Sequence, residues 1–510
     1  MPKPSWSGDV SRQIVRRIVV EGDLVLQTPA HFGNGDGTNL IDIPLLIDPF
    51  DESAPLLTGA SIAGALRNAL REREHGFRQK IDQYTDADHS ASVLLFGGHK
   101  GNEYGEQSPL IVEDALGKHA SIELRDGVRL EGKSRTSAED ALFMIEMWQA
   151  GTTFPLRFEL IVRVSDNVSA LKRALATALV GFTDGSITLG ARKRRGYGQV
   201  SVTGWRVKEY DLTDPEQLLD WIAHGADKLS SPSNPKIVTV LGVNETLVDQ
   251  RRAFRLTATF SLDGSLLIRS GSGPDDPDTK QAIATEAQRP DMLHLHSARL
   301  SPAGDGTRRQ MPILSGTSLA GALRARAFKI ARLLAPPTDA GKENAQKLVE
   351  HLFGADMQKR PEPEASRITI SEQEVKKVQN TLVQQRVSID RFTGGTREGA
   401  LFSEQPLLSE KESRVSIDIH LVNPQEYEIG LLLLVMKDLW TGDLPLGGEI
   451  SVGRGRLRGQ HCHLEYKNGQ VQSWDLRADK ANGVTVTKGQ PKELERYVTA
   501  LHAQVDGSKA

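Results

Sequence analysis

The chain repeats itself, and any fold it adopts has to be adopted twice. Residues 58–67, TGASIAGALR, return 257 positions later as residues 315–324, SGTSLAGALR. Two further landmarks keep that offset: Leu95-Phe96-Gly97 matches Leu352-Phe353-Gly354, and Leu189-Gly190 with Gly196-Tyr197-Gly198 matches Leu446-Gly447 with Gly453-Arg454-Gly455. A fourth, Ala141-Leu142-Phe143 against Ala400-Leu401-Phe402, has slipped to 259. Such spacing identifies two tandem copies of one domain.

The repeated stretch reads as a helix. Thr58 and Ser315 are N-cap residues. Ile62, Leu66 and Leu70 fall on one stripe, as do Leu319, Leu323 and Ala327. Arg67 and Arg324 lie off it. Gly59 and Ser61, like Gly316 and Ser318, leave the first turn open, so its amides and dipole offer a phosphate site. Gly64 and Gly321 each cost about 1 kcal/mol against Ala, which predicts something packed close to the backbone there.

Composition narrows the class. With 38% hydrophobic and 25% charged residues the chain reads as globular. Its single cysteine, Cys462, excludes a disulfide framework and a cysteine-based zinc cluster, and fits the cytoplasm. The MPKPSW start lacks the apolar core of a secretory signal, and the longest apolar run, Leu431–Met436, is too short for a membrane span, so no membrane role is expected. The net charge of −3 argues against a general nucleic-acid coat, which shifts attention to local charge.

Each copy reads strand, loop, helix, strand, hairpin, strand, helix, glycine loop, strand. This predicts an α+β fold of two ferredoxin-like βαββαβ (RRM-like) units with inserted hairpins and loops. The expected boundaries are a first domain over 1–205, a linker over 206–250, a second domain over 251–465 and a C-terminal extension over 466–510. Hairpins are expected at 129–141 and 384–397. The densest basic stretch is Arg192-Lys193-Arg194-Arg195, followed by Gly196-Tyr197-Gly198. The glycines permit close approach to a ligand, the cations suit phosphates, and Tyr197 is placed to stack on a base. In the second copy Gly453-Arg454-Gly455 persist and the basic block is displaced.

Together the GxSxxGxxR helix motif, the Leu-Phe-Gly and the glycine loop resemble the RAMP superfamily of CRISPR proteins, and within it the backbone subunit of type III effector complexes. In that family a segment GxIDxPxIxDP precedes the helix motif. Asn39–Pro49, NLIDIPLLIDP, follows it with Asn39 at the glycine and the second isoleucine shifted. The family's cleaving aspartate falls on Asp42. In the second copy Pro290-Asp291 stand at that place, while the surrounding segment departs from the pattern. The pair of domains resembles the tandem subunit of type III-D variants, over residues 14–205 and 250–465.

The resemblance implies a subunit that binds crRNA through the helix motif and glycine loop. A thumb hairpin from each domain kinks the guide–target duplex at regular intervals, and Asp42 and Asp291, as metal ligands and catalytic residues, support Mg²⁺-dependent cleavage of target RNA. The implied partners are crRNA, target RNA and the other effector subunits: other backbone proteins, a large subunit and a small subunit. The competing carboxylates are Asp36, Asp48 and Asp305. One alternative is the same scaffold without active sites. Another is a guide-processing endonuclease using histidine acid–base chemistry, for which His31, His294 and His296 are the nearby candidates.

Overall fold

The computed structural model describes residues 13–33, 44–51, 53–79, 90–98, 107–130, 137–225, 229–270, 290–301, 303–304, 306–355, 364–479 and 483–506. Asp36, Asp42 and Asp305 lie outside the described residues.

The first half runs β1 (Ile14–Leu26), α1 (Gly59–His75), α2 (Ala91–Phe96), β2 (Leu110–Val112), a hairpin of β3 (Ile122–Leu130) and β4 (Ser137–Trp148), β5 (Thr153–Arg163), α3 (Val168–Val180) and β6 (Val200–Asp211). Its sheet order is β2-β5-β1-β6, with every neighbour antiparallel. Alternation along β5 sends Phe154, Leu156, Phe158 and Leu160 inward, against the α1 stripe of Ile62, Leu66 and Leu70 and against Leu171, Leu175 and Leu179 of α3.

Beyond β6 come α4 (Pro215–His224) and α5 (Ile237–Val240). The stretch expected as a linker is therefore largely folded onto the first half. Ile237 and Leu241 join the first core, and Leu229 joins Val19 and Tyr210 on the other face of the sheet, where Trp221 packs edge-on to Tyr210. Apolar residues scattered among polar ones carried this packing without a periodic signal.

The second half repeats the plan. It runs β7 (Ala253–Asp263), β8 (Met292–His294), β9 (His296–Leu300), β10 (Arg308–Leu314), α6 (Gly316–Leu334), α7 (Asp339–Phe353), β11 (Ile368–Ile370) and β12 (Gln373–Gln379). A hairpin of β13 (Gln384–Ile389) and β14 (Thr396–Gln405) follows, then β15 (Leu407–Val422), α8 (Glu426–Thr441) and β16 (Arg456–Asn468). Strands β11-β15-β7-β16 reproduce the antiparallel order of the first sheet. The expected extension is no appendage. Strand β16 continues into β17 (Gln470–Ala478) and β18 (Val484–Lys488), and α9 (Pro491–Asp506) buries Leu494, Tyr497, Leu501 and Val505 in the second core. Among the described residues no helix is long and apolar enough to cross a membrane.

Candidate nucleic-acid interface

Both repeat helices are capped as their sequences predict: Thr58 accepts from the Ser61 amide and Ser315 from the Ser318 amide. The Leu-Phe-Gly landmarks end α2 and α7, with Gly97 and Gly354 as C-caps. Arg67 Nη2 donates to the Gly97 carbonyl at 3.0 Å, which ties the two landmarks together.

The helix N-termini are not open. The Gly59 amide donates to Asp114 Oδ1 at 2.6 Å, so a carboxylate of this chain already holds the anion position. A Cβ on Gly59 would strike the Val112 carbonyl, and one on Gly316 the carbonyls of Arg195 and Ile370. Gly64 and Gly321 differ from the expectation in the opposite sense. Both are exposed, and a Cβ on either meets nothing within 4 Å. Their value to the fold is not protein packing; they leave the outer helix surface flat. Ser61 is exposed and Ser318 half-buried on the same turns.

The two glycine loops share one backbone. Each forms a 3-10 turn, Lys193–Arg195 or Ile450–Val452, bracketed by left-handed residues: Arg192 (φ 54°) and Gly196 (φ 87°) in the first, Glu449 (φ 59°) and Gly453 (φ 90°) in the second. Leu189 N donates to Gly198 O at 2.9 Å, and Leu446 N to Gly455 O at 2.9 Å. A Cβ on Gly198 or Gly455 would overlap the Leu189 or Leu446 carbonyl oxygen.

Their surroundings differ. The first loop is seated on the second half, where Gly196 lies against the backbone of Ser371 and Glu372. Arg194 Nη1 donates to Thr369 Oγ1 at 2.9 Å. Arg195 is desolvated and set near Arg324 and Arg192, which lowers its pKa, and its Nη1 is buried without a hydrogen-bond partner. Desolvation and Arg194 likewise lower the Lys193 pKa. Arg192 stacks 4.4 Å over the Phe143 ring of the first hairpin.

Tyr197, expected to stack on a base, is 4% exposed and packed on Ile145 and Met147 of β4. Its ring is spent on holding loop to hairpin. Arg454 stands at the same place in the second loop and does the same with charge. Its Nη1 lies 2.8 Å from Glu404 Oε2, and its Nη2 donates to Gln384 Oε1 at 2.7 Å.

Sequence reasoning missed the joint that seats the first loop. Arg125 of β3 reaches Glu372 at 3.0 Å, while also pairing with Glu123; Arg299 pairs with the same Glu372. Ser297 Oγ donates to Glu123 at 3.0 Å. These partners are scattered along the chain, and no spacing announces them. A buried cluster of two cations and two anions is balanced, and removing one member costs about 3–5 kcal/mol.

Asp291 stands exposed where β8 meets the second hairpin. Its Oδ2 accepts from Ser403 N at 2.7 Å and Ser403 Oγ at 3.0 Å. The Ser403 amide and hydroxyl hold the carboxyl below its ordinary pKa, so it is ionised at neutral pH. In the first half, Ala30 pairs with Trp148 of β4 and Gly33 pairs with Leu45, while Asp42 itself lies outside the described residues. Among the described residues no group of three or more His, Cys, Asp or Glu side chains is arranged to hold a metal ion. Asp291 is therefore a lone carboxylate with Oδ2 engaged by Ser403, not part of a preformed ligand set.

His294 and His296 serve the fold. His294 Nδ1 accepts from the Ile268 amide at 3.1 Å, its Nε2 donates to Ile313 O at 3.1 Å, and burial pushes its pKa down to about 3. His296 Nδ1 donates to His294 O at 2.8 Å. His31 Nδ1 donates to Glu146 O at 2.7 Å.

No curated protein matches the chain. The sequence profile of the RAMP superfamily matches residues 23–201 and 301–458, one region in each half and together well over half of the chain. That match points to a CRISPR-associated, RNA-binding role. Both halves carry the family pattern on the same strand order, and the chain belongs to the RAMP superfamily.

Proposed function

We propose that this chain is a crRNA-binding backbone subunit of a type III CRISPR effector complex, of the tandem type III-D kind, and that it cleaves complementary target RNA beside each hairpin. The antiparallel order β2-β5-β1-β6, repeated in the second sheet, supports reading each half as a ferredoxin-like RAMP domain. The observation that carries the cleavage reading is Asp291. Its carboxylate is ionised, exposed and bonded to Ser403 of the hairpin strand, so a hairpin that distorts a duplex carries the acid with it. Arg195 carries the RNA reading: like charges gathered around a buried, unpartnered guanidinium nitrogen suit a phosphate.

Cleavage requires a ribose 2′-hydroxyl in line with the scissile phosphate. Asp291, and Asp42 in the first half, would hold Mg²⁺, which supplies charge neutralisation at that phosphate. Ser403 fixes the orientation of the Asp291 carboxylate, and base pairing rather than this chain reads the sequence. The subunit would act in the cytoplasm with other backbone proteins, a large subunit and a small subunit.

The test is target-RNA cleavage mapping with the reconstituted complex. Asp42→Asn is expected to remove one cut and Asp291→Asn another, with guide and target binding intact and both cuts lost on chelation of divalent cations. Guide and target binding without any cut would make the chain a scaffold. Cleavage of unpaired precursor RNA without metal would make it a processing enzyme, a role that buried His294 and half-buried His296, both bonded to backbone, do not favour.

A further inference from the structure

His31 is the polar residue that the RNA reading leaves unused. It is 3% exposed, and its Nδ1 lies 2.7 Å from the Glu146 carbonyl oxygen. A carbonyl only accepts, so Nδ1 carries a proton, and in the neutral ring Nε2 presents a lone pair. That Nε2 is buried and, among the described residues, has no hydrogen-bond partner. An unsatisfied buried acceptor weakens a fold.

The second half builds the same corner without one. Ala191 N donates to His31 O at 2.9 Å in the first half, and Gly448 N donates to Leu267 O at 2.8 Å in the second. Gly190 and Gly447 crowd the same two carbonyls. Leu267 is fully buried at the position of His31. An imidazole is therefore not needed to shape the glycine loop, and leucine would shape it without an unsatisfied nitrogen. His31 also stands where three pieces meet: its carbonyl anchors the first glycine loop, its ring is pinned to β4, and it follows the Ala30–Trp148 bridge.

A lone pair held there asks for a donor. Along an RNA backbone the phosphate oxygens only accept, and the ribose 2′-hydroxyl donates. We infer that His31 Nε2 accepts a hydrogen bond from one ribose 2′-hydroxyl of RNA bound across the first glycine loop. The first half thereby distinguishes RNA from DNA at one nucleotide, and the second half, with Leu267, does not. This rests on the RNA-binding reading and is independent of cleavage.

The test measures binding of the full chain to a single-stranded RNA probe and to a series of the same probe, each with one 2′-deoxy position. His31→Leu copies the second half, and His31→Gln restores an acceptor near the place of Nε2. Wild type is expected to lose about five- to tenfold in affinity at one deoxy position. His31→Leu should bind the all-ribose probe that much more weakly and become indifferent to that position, with an undiminished thermal midpoint. His31→Gln should regain the dependence. A deoxy profile identical in wild type and His31→Leu would overturn the inference and leave Nε2 to a trapped water. So would uniform loss of binding with a lowered midpoint, or a dependence on base identity rather than on the 2′ position. Wild type failing to bind the all-ribose probe would instead refute the RNA-binding reading itself.

Discussion

The two glycine loops have one backbone and two fates. Both hold a left-handed residue, a 3-10 turn and a left-handed glycine, and both close with the same amide-to-carbonyl bond. The first is seated on the second half, with Gly196 against Glu372 and Arg194 on Thr369. In the second, Gly453 has nothing within 4 Å of a Cβ, and Val452 is 52% exposed. Loop shape is thus a local property that survived duplication, whereas loop chemistry follows what the loop faces. The basic KRR turn sets Arg194 on Thr369, while the ISV turn in its place carries no charge.

The largest effect should come from the joint. Glu372→Gln leaves Arg125 and Arg299 facing a neutral amide in a buried site, and is expected to cost about 3–5 kcal/mol in chemical denaturation. The matching position in the first half, Asp114, accepts from the Gly59 amide, and Asp114→Asn should cost about 1 kcal/mol. Equal losses would mean that the seat contributes nothing beyond a helix cap.

Next come the glycines that close each loop. Gly198→Ala and Gly455→Ala both push a Cβ onto a carbonyl oxygen from left-handed backbone, at φ 68° and 78°. Each is expected to destabilise by about 2–4 kcal/mol, and by similar amounts. A large inequality would show that the two loops are not built alike.

The open and seated glycines should separate. Gly453→Ala carries only the left-handed penalty, about 1–2 kcal/mol. Gly196→Ala adds a clash with the Glu372 amide and should lose about 1–3 kcal/mol more. Matching thermal midpoints for the two variants would contradict the seated arrangement.

The smallest effect lies in the salt dependence of RNA binding. Arg195→Ala should flatten the log–log slope by about 0.7–0.9, one phosphate contact. Arg194→Ala should leave the slope unchanged, because its guanidinium is engaged by Thr369. A slope lost with Arg194 and kept with Arg195 would reverse their roles.

Much of the fold was legible because its signals are local. The Ile62-Leu66-Leu70 stripe, the Thr58 and Ser315 caps and the alternation of β5 each lie within a few residues, and each formed as written. The hairpins were located but underestimated. The first runs from Ile122 to Trp148 rather than 129–141, since its outer strands lack strict alternation. The site was less legible. Tyr197 sits in a glycine loop rich in cations, a pattern that suits stacking on a base, yet β4 claims the ring. Gly64 and Gly321 carried the reverse error, because sequence shows that a side chain is missing and not what occupies the space.

By itself the sequence determined the duplication, the N-caps of the repeat helices and the place of both glycine loops, since these depend on residue types at spacings of a few residues. Tertiary structure alone decided which loop is seated and which stays open, which arginine is spent on Thr369, and where the buried charges balance. Arg125 and Glu372 are 247 residues apart. Only the packing of one half on the other brings such distant residues together.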